Sequence, residues 1–134
     1  MECQFPKQTA SLESIFEFVS ELANRHGVSA DITRDMQFAI EEIFTNMVRY
    51  NTETHNDVTI DADVADGVFR VTLADRDVHS FDPTQRPPVD TERPPHERTP
   101  GGLGIHLVRQ MMDDVRYEYV DRTARITLIK RLET

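Results

Sequence analysis

A chain of 134 residues fits one domain, residues 1–134, with a single apolar core that needs no disulfide support. Its net charge of −9 repels the phosphates of DNA, RNA and anionic lipid headgroups, which excludes broad electrostatic binding to nucleic acid or membrane. Cys3 has no second cysteine to pair with, no apolar run approaches the roughly 18 residues of a membrane span, and no basic-then-apolar leader opens the chain, so the expected location is cytoplasmic.

From Ser11 to about His26, Leu12, Ile15, Phe16, Val19, Leu22 and Ala23 recur at helical spacing, and Gly27 supplies a stop. A second helix is expected from about Asp31 to Tyr50. Its apolar stripe is Ile32, Met36, Ala39, Ile40, Ile43 and Met47, and Asp31 suits its positive end. At about 100° per residue, Glu42 and Asn46 lie about 40° apart around this helix, on the flank of the stripe. A carboxylate and an amide can therefore border one half-buried cleft. Such a pair at i, i+4 is more often solvated surface, and other motifs must raise its standing. Glu41 falls about 100° further from the apolar face and is expected to be exposed.

The period then changes to two. Val58, Ile60, Ala62 and Val64 alternate with polar residues, Asp66-Gly67 marks a tight turn, and Phe69, Val71 and Leu73 resume the alternation, which is the pattern of a hairpin. Continuing the parity puts Asp75 on the inward face, where an ionised carboxylate needs a partner.

Six of the seven prolines lie between Pro83 and Pro100, in a loop over about residues 82–100 that has the character of a lid. A third helix follows from about Leu103 to Met112, preceded by Gly101-Gly102-Leu103-Gly104. Glycines at a helix start let backbone N–H groups approach an anion, although a lone Gly-Gly-x-Gly is weak evidence for phosphate binding. Two last strands are read around Val115, Tyr117, Tyr119 and around Ala124, Ile126, Leu128, with Asp121 to Thr123 between them. The five histidines, at 26, 55, 79, 96 and 106, have no metal-ligand spacing. Helix, helix, hairpin, loop, helix, hairpin favours an α+β, two-layer α/β sandwich: a mixed, mostly antiparallel sheet covered by helices on one face.

Four stretches in this order carry a resemblance: Ala39-Ile40-Glu41-Glu42-Ile43-Phe44-Thr45-Asn46, Phe81-Asp82-Pro83, Gly101 through Arg109, and Met112 through Tyr117. The chain resembles the histidine-kinase-like ATPase domain, and most closely the anti-sigma-factor serine/threonine kinases, from about Leu12 to Leu132. The resemblance implies ATP and Mg²⁺ as cofactors, with Asn46 holding the metal and Glu42 acting as catalytic general base. It implies that Gly102, Leu103 and Gly104 face the phosphates, that Arg98 adds a phosphate contact from the lid, and that Thr127 lies near the adenine. The implied partners are a sigma factor and an anti-sigma-factor antagonist, and a homodimer is among the implied assemblies.

The family places a glycine two residues after its adenine-binding aspartate, and residues 74–83 contain no glycine. Strand parity makes Asp75 the aspartate and puts Asp77 at the glycine position, leaving one extra residue before Phe81. Counting back from Phe81 without a gap aligns Arg76 and Val78 instead. The parity alignment is preferred because it keeps an inward acid for the adenine amino group. A side chain at Asp77, and an anionic one, is expected to weaken nucleotide affinity. The leading expectation is thus an ATP-dependent kinase that binds a sigma factor and phosphorylates an antagonist. The alternatives are a partner-switching module with degenerate nucleotide binding and a small nucleotide hydrolase.

Overall fold

In the computed structural model the described residues are 1–50, 56–78 and 101–132, without the side chains of Tyr50 and residues 101–103. In chain order they form β1 (Glu2–Phe5), a 3-10 turn (Thr9–Ser11), α1 (Leu12–Arg25), α2 (Ala30–Tyr50), β2 (Val58–Ala65), β3 (Val68–Arg76), α3 (Gly101–Met111), β4 (Asp114–Val120) and β5 (Thr123–Arg131). The sheet has the order β1-β2-β3-β5-β4, and every neighbouring pair is antiparallel. The α+β two-layer class holds, with an antiparallel sheet where a mixed one was expected.

The helix boundaries follow from local chemistry. α1 ends where Gly27 takes φ +66°. There the N–H of Val28 reaches the Ala23 carbonyl at 2.9 Å and that of Gly27 reaches Asn24 at 3.3 Å, the two bonds of a Schellman stop. α2 is capped by Ser29, whose Oγ accepts from the N–H of Ile32 at 3.2 Å. Asp31 sits one residue inside the helix, in the first turn, where its charge favours the positive end. Each hairpin closes through two residues of positive φ, Asp66 (54°) with Gly67 (72°) and Asp121 (52°) with Arg122 (58°), which match the twist of the strands they join.

The apolar stripes meet as the periodicity requires. Ile15, Val19 and Leu22 of α1 and Met36, Ile40, Ile43, Phe44 and Met47 of α2 bury against Ile60, Phe69, Val71, Leu73, Ile126 and Leu128 of the sheet. α3 adds Ile105 and Val108 and lies beside α2. That neighbourhood places the start of α3 against the middle of α2. β1 had no place in the sequence reading, because four residues carry too little periodicity. It pairs with β2, and its Phe5 packs edge-on against Phe18 of α1 at 5.8 Å between ring centroids.

Candidate functional site

Glu42 and Asn46 lie one turn apart on α2, at different depths, and α3 packs beside that helix. Asn46 is buried at 2% exposure, Glu42 is half-buried, and Glu41 is exposed. The Glu42 carboxylate rests on Gly104. A Cβ built there would stand 3.0 Å from Oε1 and nearer still to Oε2, so the close approach requires a residue without a side chain. Two motifs about 60 positions apart in sequence are thus in contact through one carboxylate. The structure also corrects the glycines' place: α3 begins at Gly101, so Gly102 and Gly104 lie inside the first turn. First-turn N–H groups have no intrahelical acceptor and carry the positive end of the helix dipole.

Burial raises the pKa of Glu42 above its ordinary 4.5, and the neighbouring Glu41 raises it further, while Arg49 opposes them. Such a carboxyl keeps a basic oxygen in partly dehydrated surroundings. Among the described residues no group of three His, Cys, Asp or Glu could hold a metal ion by itself. The donor set suits another arrangement. Mg²⁺ takes one or two oxygen ligands from protein and completes its shell with phosphate oxygens and water, and a buried amide one helical turn from Glu42 fits that demand.

Asp75 lies at the inward end of β3, fully buried and directly across from Ala124 of β5. The partner it requires is Lys7, whose Nζ stands 2.7 Å from Oδ1 with its side chain only 3% exposed. Sequence reading did not single out Lys7. The available signal was the demand itself: a buried acid implies a cation, and the chain has just two lysines, Lys7 and Lys130. The second of these donates to the Met111 carbonyl at 2.7 Å, at the end of α3.

Asp77 has φ +61°, the left-handed conformation that glycine adopts most freely and aspartate tolerates. The backbone at Asp77 thus has a shape that glycine would adopt without strain. Its carboxylate turns to the surface, accepting from Arg122 Nε at 3.0 Å. Val78, which follows, is fixed to the β4–β5 hairpin: its N–H donates to Arg122 O at 2.9 Å, and its carbonyl accepts from the Tyr119 hydroxyl at 2.6 Å.

Thr127 is not brought to this group. It pairs with Thr72, their hydroxyls 3.2 Å apart, and odd spacing from Ala124 puts it on the sheet face opposite Asp75. The expectation of a threonine beside the base fails here because side chains on one strand alternate between faces. Gly102 and Leu103 lie in the first turn of α3, with backbone described and side chains not. Arg98 and the loop over 82–100 lie outside the described residues, as does Phe81-Asp82-Pro83. Among the described residues no helix is long and apolar enough to cross a membrane.

Comparison with known proteins identifies the family and the fold. The family description "Histidine kinase-like ATPase domain" matches residues 5–130. The serine-protein kinase RsbW of Oceanobacillus iheyensis is 31% identical over 104 residues, covering 73% of this chain and 65% of the kinase, so the match spans slightly under two thirds of that relative. RsbW of Bacillus subtilis is 29% identical over 123 residues, covering 88% and 77%. The crystal structure of the RsbU and RsbW domains of a Mycobacterium tuberculosis protein superposes with a TM-score of 0.71 at 17% identity, covering 98% of this chain and 32% of that one, which is likeness of fold. With the family description matched over nearly its whole length, the chain belongs to the histidine kinase-like ATPase domain family, among relatives that are RsbW serine-protein kinases.

Proposed function

We propose that the chain is an ATP-binding regulator of the anti-sigma-factor kind, which binds a sigma factor and transfers the γ-phosphoryl group of ATP to a serine or threonine of an antagonist protein. The observation that carries this reading is the contact of Glu42 with Gly104, which joins a basic carboxylate to a helix start suited to phosphate. Mg²⁺, when bound through Asn46 and the phosphates, would supply neutralisation of the charge on the transferring group.

The chain's own residues divide the remaining work. Glu42 accepts the proton of the attacking hydroxyl as the new O–P bond forms and the bond from the γ-phosphorus to the bridging oxygen breaks, releasing ADP. First-turn N–H groups of α3 hold the phosphates in place. Asp75 is the acceptor for the adenine amino group, and Asp77 supplies the bend that follows it.

Transfer of labelled phosphate from ATP to a serine-containing antagonist tests this reading. Glu42→Gln is expected to slow transfer by about 10²–10⁴-fold. In the unsubstituted chain the rate rises with pH along a limb above the ordinary carboxylate range, because only ionised Glu42 takes the proton. Glu41→Gln removes a repelling charge, lowers the Glu42 pKa and moves that limb to lower pH. Undiminished transfer in Glu42→Gln would remove Glu42 from the role.

A second reading, a partner-switching module with weakened or lost nucleotide binding, is favoured by two specific features. The acid assigned to the base is already engaged by Lys7, and the residue after next is aspartate where the family has glycine.

A further inference from the structure

We infer that Lys7 is a built-in competitor for the base-recognition acid: its ammonium takes the place at Asp75 that a ligand amino group would take, so purine binding and docking of the N-terminal strap exclude one another. The inference rests on the reading of Asp75 given under Proposed function.

Three observations carry it. The Asp75 carboxylate has no exposure and the Lys7 side chain has 3%, so a ligand group cannot reach the acid unless something moves. Ammonium and exocyclic amino groups are both hydrogen-bond donors, and both are satisfied by the same carboxylate oxygens. The two sides of the pair are unequally held. Asp75 belongs to β3, which is hydrogen-bonded to β2 on one side and β5 on the other. Lys7 belongs to a short connection between the four-residue edge strand β1 and the 3-10 turn.

That connection has a closed form of its own. The Pro6 carbonyl accepts from the Gln8 N–H at 2.8 Å and from Ser11 Oγ at 2.7 Å, and Phe5 anchors it to α1 through Phe18. Residue type fits the role as well. Thirteen of the fifteen basic residues are arginine, yet the residue at this pair is lysine, whose compact charge on a flexible stem can withdraw where a planar guanidinium would stay wedged. The strap thus has two states, docked with Lys7 on Asp75 or lifted with the acid open. Apparent affinity falls by the fraction of molecules in the lifted state, so a strap lifted in about a tenth of molecules weakens binding about tenfold.

Calorimetric titration of Mg-ADP into the full chain and into Lys7→Met tests the competition, with circular dichroism confirming the fold of both. Lys7→Met is expected to bind at least about tenfold more tightly, and adding Asp75→Asn is expected to cancel the gain. Hydrogen exchange on the unsubstituted chain gives a second readout that does not depend on any variant. Saturating Mg-ADP should speed exchange of the β1 and strap amides, residues 2–11. Equal or weaker binding by Lys7→Met, or strap amides unchanged at saturation, overturns the competition while leaving the nucleotide site standing. Absence of binding by either protein at millimolar Mg-ADP overturns the nucleotide reading itself, and this inference with it.

Discussion

Gly104→Ala should leave the protein as stable as before, or more stable, and lose about a hundredfold or more in phosphoryl transfer. The two effects come from one methyl group. Inside a helix, alanine is worth up to about 1 kcal/mol over glycine, and α3 is a regular helix through this position. The same methyl overlaps the Glu42 carboxylate, which is the far end of a flexible side chain and can swing away without disturbing the core. Displacing a general base by about 1 Å costs on the order of 10²-fold in rate. Thermal unfolding together with phosphate transfer checks this. A stable variant with undiminished transfer would mean that the contact does not position the base, and an unfolded variant would mean that the backbone there is under other constraints.

Asp75→Ala should destabilise the fold by about 3–5 kcal/mol, the usual consequence of removing one member of a buried ion pair and leaving the other charge without it. Lys7 is 3% exposed and its Nζ is 2.7 Å from Oδ1, so water does not take over the carboxylate's place. Replacing both members, Lys7→Met with Asp75→Leu, should restore most of the loss, because neither charge then has to be dehydrated. Urea denaturation of Lys7→Met, Asp75→Leu and the variant that combines them closes the cycle, with Asp75→Ala measured beside them. A loss below about 1 kcal/mol for Asp75→Ala would show that the pair behaves as an exposed one.

The two predictions rest on features that differ in how readable they were from sequence. Period-two alternation alone places Asp75 inward, since a strand's side chains alternate between faces unless a bulge intervenes. Helical periodicity likewise placed Glu42 on the flank and Asn46 beside it. What periodicity does not carry is the pairing of distant elements. Nothing in residues 5–9 announces that Lys7 would meet β3, because a four-residue strand has too short a pattern and its position is set by the free edge of β2. The depth of the Glu42–Gly104 contact depends on how closely α2 and α3 pack, which is a tertiary property. Thr127 shows the opposite failure: a motif position was carried over without its parity, and the pairing with Thr72 puts it on the far face. Asp77 adopts φ +61°, a backbone shape that residue type alone did not announce.

The central claim is that the flank of α2 and the start of α3 form one site for a purine nucleotide with its metal. Amide NMR titration with Mg-ADP tests it most directly, because it registers weak binding and names the atoms that respond. The account predicts that the amides of Gly101–Gly104 and the side-chain amide of Asn46 shift together with a single dissociation constant, and that Asn46→Ala abolishes the Mg²⁺-dependent part of the response. Shifts confined to one of the two regions, or none at about 10 mM nucleotide, well above the roughly 1 mM that marks weak binding, would contradict it.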